Sequence, residues 1–204
     1  MIFNKSNKLK DVYLDCGSNI GQGFEHFRKI YKKNFDYILF DPNPNCFKIL
    51  QSKYSNQDNI KIFNNAIYID DSVKVFSFIS DTDFGGSLIK EHNSGYSSDE
   101  YLNKTFGTTQ FKNIKVKCIN IISLISDLKT KYRNIIIKFD IESAEYDVLE
   151  KMIETGTIKD VKKIHCEFHT SFMDEKDKHL TVPREENIIK YCKDNRINLE
   201  RWDQ

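Results

Sequence analysis

The segment that most constrains this chain is Val12-Tyr13-Leu14-Asp15-Cys16-Gly17-Ser18-Asn19-Ile20-Gly21, an apolar run that ends in an acid and passes at once into alternating small residues. The run predicts a buried strand. The glycines after it let the backbone turn tightly and come close to a ligand. Residues 22–33 then space Phe24, Phe27, Ile30 and Tyr31 on one helical face. A strand that turns through glycines into a helix is the opening unit of an α/β sheet, where ligands gather at the carboxyl ends of strands and at helix N-termini.

The remaining chain repeats this alternation. Tyr37-Ile38-Leu39-Phe40 reads as a second strand, residues 45–54 as a helix and Ile60-Lys61-Ile62-Phe63 as a third strand. Residues 73–79 form a strand of period two. Regularity then lapses over residues 80–113, rich in Gly, Ser, Thr, Asn and Asp and too long for a turn. We read it as an insertion over the ligand site within a single domain of residues 1–204. Strand 114–118, helix 122–132, the all-apolar Ile135-Ile136-Ile137, helix 143–155, strand 164–168, helix 184–195 and a weak last strand, 197–202, complete the pattern. The expected fold class is α/β, a Rossmann-like, mostly parallel sheet with helices on both faces.

Composition excludes several alternatives. With 39% hydrophobic and 30% charged residues and a net charge of +1, the chain has an ordinary globular make-up. It lacks the basic excess of a phosphate-tracking protein, so nucleic acid is a disfavoured partner. No apolar run approaches the roughly 20 residues of a membrane span, and the N-terminus lacks the apolar core of a signal peptide. A cytoplasmic location is the expectation. Five scattered cysteines without a C-x-x-C pair predict free, mostly buried thiols rather than disulfides or a zinc site.

The dinucleotide fingerprint needs glycines at its first, third and sixth places, whereas counting from Gly17 gives Asn19 and Gln22. The alternation Asp15-x-Gly17-x-Asn19-x-Gly21 instead resembles the nucleotide-loop motif of class I methyltransferases. Asp41, followed by Pro42, ends the second strand, where a carboxylate can accept both hydroxyl hydrogens of a ribose. After the third strand, Asn65 and Ala66 lie where an adenine ring can rest, though asparagines there also form turns. Residues 137–149 pack Lys138, Asp140, Glu142, Glu145 and Asp147 around a strand-to-helix junction.

With that junction the chain resembles the FkbM family of methyltransferases, whose signature reads K-x-D-x-E-x-A-E-x-x-V-L from Lys138 to Leu149. The opening D-x-G-x-N-x-G, Asp41-Pro42-Asn43-Pro44 and Glu167-Phe168-His169 follow in the matching order, so the resemblance covers roughly residues 11–169. It implies a class I methyltransferase sheet, S-adenosylmethionine as cofactor, and O-methylation of a hydroxyl on a sugar, glycan or small metabolite. The cofactor residues expected are Asp15, Gly17, Ser18, Asn19, Gly21, Asp41, Pro42, Asn65, Ala66 and Asp140. Three departures stand out: Asp41 where the family carries Glu, Ser143 where it carries Gly, and Asn120 where it carries Asp. Asp41 keeps the carboxylate, and Ser143 can cap the following helix. The family's terminal two-stranded hairpin is also missing, so either the sheet is abbreviated or the chain is truncated.

Methyl transfer needs an aligned acceptor oxygen and a base for its proton. Asp140 is the leading candidate, with Glu142, Glu167 and His169 behind it and Lys138 as a neighbouring charge. Several carboxylates with His169 can alternatively hold a divalent cation that orients the acceptor. No metal ligands are assigned from sequence. An RNA ribose 2′-O-methyltransferase is the closest rival, with Lys138 and Asp140 as half of a lysine-centred tetrad and Phe84, Tyr96, Tyr101, Phe106 and Phe111 available to stack bases or sugars. A non-catalytic binding module on a nucleotide fold is the rival from another class.

Overall fold

Two strands of five or more residues, β1 (Asp11–Cys16) and β7 (Ile135–Phe139), are buried at every position and form the centre of a sheet covered on both faces. The computed structural model describes residues 9–79, 86–90, 92, 104, 110–173 and 175–202. Between the two central strands run α1 (Gln22–Ile30), β2 (Phe35–Phe40), α2 (Pro44–Tyr54), β3 (Ile60–Phe63), β4 (Ala66–Tyr68), β5 (Val73–Phe78), β6 (Lys112–Asn120) and α3 (Ile121–Leu128). After them come α4 (Glu145–Glu154), β8 (Lys163–Cys166), α5 (Val182–Asp194) and β9 (Leu199–Arg201). Six strands form one sheet in the order β3-β2-β1-β7-β8-β9, every neighbouring pair parallel.

Alternation along the strands divides the core. Val12, Leu14 and Cys16 point with Ile135, Ile137 and Phe139 toward Ile125 of α3, Leu149 and Met152 of α4 and Ile188 of α5. Tyr13, Tyr37, Leu39 and Ile136 face the other way, against Phe24 and Phe27 of α1 and Leu50 and Tyr54 of α2. The expected α/β sheet with helices on both faces is what the chain forms.

Four strands differ from expectation. Residues 73–79 and 114–118 belong to a separate three-stranded sheet, β4-β6-β5, with β4 parallel and β5 antiparallel to β6. Period two is the reason: Val73 and Val75 are exposed while Phe76 and Phe78 are buried, and a half-exposed strand does not belong in a doubly covered sheet. The third strand of that sheet, β4, is buried throughout and lies where a turn was expected. The last strand is shorter than expected, but β9 pairs in parallel with β8 and Trp202 N–H reaches Cys166 O.

Of the expected insertion, residues 86–90, 92, 104 and 110–113 are described; Phe84, Tyr96, Tyr101 and Phe106 lie outside the described residues. Ser87 bridges to Ser77 of β5. Asn120 accepts N–H bonds from Ile122 and Ser123 and so caps α3, which needs an oxygen rather than a charge. All five cysteines are free and buried. Among the described residues no helix is long and apolar enough to cross a membrane.

Two glycines separate strain from space. Gly17 (φ 79°) has no room for a side chain, because a Cβ there overlaps the carbonyl oxygen of Asp140, whereas Gly156 (φ 76°) faces open space. Urea denaturation is expected to show a loss of about 1 to 2 kcal/mol for Gly156→Ala, the cost of a left-handed L-residue. Gly17→Ala is expected to lose about 4 kcal/mol or more, and equal losses would contradict the close approach of the two strand ends.

Candidate active site

The alternation after β1 is a backbone requirement: Gly17, Asn19 and Gly21 take φ of 79°, 46° and 99°. Asparagine is among the few side chains that tolerate this region. The loop is held by the next strand tip, since Asp41 accepts the N–H of Asn19 at 2.7 Å and of Asn43 at 2.9 Å. Burial pushes the Asp41 carboxyl up to about 7 despite those two donors. Ser18 Oγ turns back to Asp15 O at 2.9 Å. Asn43 caps α2 through Asn45 N–H, with Pro44 in its first turn. Of the residues beyond β3, Asn64 rather than Asn65 meets this turn, donating to the carbonyls of Asp41 and Pro42. Asn65 instead donates to Lys117 O, and Ala66 is buried in β4.

Beside the loop lies a buried ionic row. Asp15 and Lys138 are register partners on β1 and β7, and Lys138 Nζ lies 3.3 Å from Asp15 Oδ1, 3.0 Å from Asp140 Oδ2 and 2.7 Å from Gly17 O. Its amine also sits 5.0 Å over the Trp202 ring. Burial disfavours the ammonium, but Asp140 and Asp15 hold it well above the usual lysine value. Burial raises Asp15, with Lys138 opposing. Burial alone would raise Asp140 too, yet Lys138 and His169 hold it well below the ordinary carboxyl range.

The third part is a cluster at the ends of β7 and β8. His169 Nε2 is 3.5 Å from Asp140 Oδ1 and 3.3 Å from Glu142 Oε2. Its Nδ1 and its backbone N–H both meet Glu145 Oε1 at 3.1 Å. Burial opposes the imidazolium, but Glu145, Asp140 and Glu142 push His169 well above the ordinary histidine value. Glu142 is lowered against its burial by His92 and His169. Glu167, half-buried one residue beyond β8, is pushed up to about 7 by burial and by Asp140.

Sequence reasoning missed His92, the only histidine in residues 80–113. Its Nε2 lies 2.6 Å from Glu142 Oε2 and its Nδ1 2.8 Å from Ser143 Oγ, while Ser87 Oγ donates to Glu142 O. Ser143, expected to cap α4, is therefore engaged by His92; the cap position is Ala144, without a side-chain bond. Glu145, an acid in the first turn of α4, is fully buried behind His169. A cavity of about 510 Å³ lies between the end of β8 and the start of α5, its walls including Phe168, Thr170, Ser171, Lys178, Glu186 and Arg201 but none of Asp140, Glu142, Glu167 and His169.

A family model described as "Methyltransferase FkbM domain" matches residues 15–194. No curated protein matches the chain. Among solved structures, yeast methylglyoxal/isovaleraldehyde reductase Gre2 complexed with NADPH is similar over 94% of this chain and 52% of that one, at 8% identity and a TM-score of 0.42. This chain thus spans about half the length of that reductase, and so distant a likeness carries no argument about activity.

The ionic row yields a stability test. Lys138→Met leaves Asp15 and Asp140 buried without their shared cation and is expected to cost about 3 to 5 kcal/mol in urea denaturation. Lys163→Met, which removes a partly exposed pair with Glu200 at 2.7 Å, is expected to cost under about 1 kcal/mol. Similar costs for both would show that the buried row is not what joins β1 to β7.

Proposed function

The chain belongs to the FkbM methyltransferase family, and from that premise we propose that it transfers a methyl group from S-adenosylmethionine to a hydroxyl oxygen of a sugar, glycan or small polyhydroxylated metabolite. One observation carries this reading: the Gly17–Gly21 loop with Asp41 on one side of the Lys138 row, and the cluster of Asp140, Glu142 and His169 on the other.

The residues present fit that cofactor by charge. Asp15, Asp41, Asp140, Glu142 and Glu167 outnumber Lys138 and His169, an arrangement that attracts a sulfonium and an ammonium and repels a pyrophosphate. When bound, S-adenosylmethionine supplies a methyl group on a positively charged sulfur. Each Asp41 oxygen already accepts one N–H and has a lone pair left for a ribose hydroxyl.

Glu167 is the better base than Asp140. A general base works best with a pKa near the operating pH, and Glu167 lies at about 7, whereas Asp140 is held ionised by Lys138 and His169 and keeps little affinity for a proton. Asp140 then orients, and the acceptor's proton passes to Glu167. Lys138, buried and engaged by Asp15, Asp140 and Gly17 O, is not free to serve as the amine of an RNA ribose methyltransferase tetrad. A divalent cation on Asp140, Glu142 and His169 is compatible with this site.

Two measurements test the reading. Calorimetry of the folded chain with S-adenosylmethionine and its demethylated product is expected to show binding that Asp41→Ala weakens about 10- to 100-fold; no heat with either ligand overturns the proposal. Labelled-methyl transfer to a panel of sugars and polyols is expected to rise with pH through about 7 as Glu167 loses its proton. Glu167→Gln is expected to lower turnover about 10²- to 10⁴-fold and remove that limb, with cofactor affinity kept; a retained limb assigns the base elsewhere.

A further inference from the structure

His169 is presented as a ligand as well as charged. From behind, buried Glu145 meets both its Nδ1 and its backbone N–H through one oxygen at 3.1 Å, the way a carboxylate orients a metal-binding histidine. That directs Nε2 forward, at 3.3 Å from Glu142 Oε2 and 3.5 Å from Asp140 Oδ1. Three ligands on one ion at about 2.1 Å stand roughly 3.0 to 3.4 Å apart, the edges of an octahedron or a tetrahedron. One donor atom from each of Asp140, Glu142 and His169 lies within 4.8 Å of the other two, so small side-chain rotations close the set.

A second observation points the same way. Glu145 Oε2 is buried and has no hydrogen-bond partner among the described residues. Asp140, Glu142 and Glu145 converge on His169, while His92 meets Glu142 and Lys138 is shared between Asp140 and Asp15. Carboxylates gathered this closely repel one another, and a cation held among them relieves that repulsion. His92 Nε2 lies 2.6 Å from Glu142 Oε2, the same oxygen that faces His169.

We infer that Asp140, Glu142 and His169 form a binding site for one divalent cation of the Mn²⁺ class, with Glu145 as the residue that positions the histidine. Two carboxylates and one imidazole are an oxygen-rich set that suits Mn²⁺. Three protein ligands leave coordination positions open, and an acceptor hydroxyl is the natural occupant of one of them. In the metal-free chain the proton on Nε2 fills the gap between the two carboxylates, and binding the ion displaces it. The binding site stands on the donor set alone; the ion's part in activating an acceptor rests on the methyl-transfer reading.

The test uses the full chain, stripped with a chelator and dialysed. Titration with Mn²⁺, followed by calorimetry and by loss of the free-ion electron paramagnetic resonance signal, is expected to show one ion per chain and a raised melting temperature. Asp140→Asn and His169→Gln are expected to abolish both effects, and Glu145→Gln to weaken binding about 10- to 100-fold. If a variant fails to fold, Co²⁺ added to the wild-type chain reports the site by the visible bands of a nitrogen-and-oxygen-ligated ion. Folded wild-type chain that binds no Mn²⁺ at millimolar concentration overturns the inference, as does binding kept in both ligand variants. Mn²⁺ bound by a chain that ignores S-adenosylmethionine sinks the methyl-transfer reading alone, and the converse sinks the metal site alone.

Discussion

The amine of Lys138 is the one group on which the site and the fold both depend. It stands at the end of the central strand β7, across from Asp15 on β1, and reaches Asp15, Asp140, the carbonyl of Gly17 and the face of Trp202. A buried ammonium is stable only with partners on every side, and these come from β1, the glycine loop, the end of β7 and the last residues of the chain. The short C-terminal strand matters for this reason. β9 need not extend the core far, because its register on β8 carries Trp202 over the amine and against α1, where a Cβ on Gly23 would meet the Trp202 ring.

From that row the site divides into two halves of different chemistry. Toward β2 the groups are backbone amides and carboxylates tied to them, so their geometry follows from the turn. Toward β8 they are side chains packed on one another, from four separate stretches: residues 87–92, 140–145, 167–170 and 185–201. The first half can be built from local rules of backbone and capping. The second exists only when the sheet has assembled.

That difference explains how much was legible in advance. Gly17, Asn19 and Gly21 announce their left-handed backbone by residue type, and Ile135-Ile136-Ile137 announces a strand buried on both faces. The main sheet and the backbone of the glycine loop were therefore readable. Ala66–Tyr68 was not, because three residues are too short to show a period and two asparagines precede them. The separate small sheet was hidden because a half-exposed strand looks the same wherever its partner lies. His92 and Glu145 were opaque for another reason: one sits in a stretch of turn-forming residues, the other resembles any acid in a first helical turn, and only contact with Glu142 and His169 gives them a role. Ser143 shows both effects together. It takes φ of 75° directly after Glu142 at 55°, which accounts for glycine at this place in the family; serine costs about 1 to 2 kcal/mol there, offset here by its bond to His92.

The cluster also shows how one environment separates like groups. Asp140 and Glu167 end adjacent parallel strands, both are desolvated, and each raises the cost of charging the other. Lys138 and His169 lie against Asp140, at 3.0 and 3.5 Å, and so settle the pair: the charge stays on Asp140 and the affinity for a proton collects on Glu167. Asp140 is thus held well below the ordinary carboxyl range while Glu167 is pushed up to about 7. The division rests on one strand register, because Lys138 faces the Gly17 loop only while β7 pairs with β1 as it does. Shifting that pairing by one residue would turn Lys138 to the other face of the sheet, into the apolar core under α3, α4 and α5 and away from Asp15 and the Gly17 carbonyl. The buried charges therefore oppose any slip of the central strands, and the arrangement that sets the site's acid–base order also selects the fold's register.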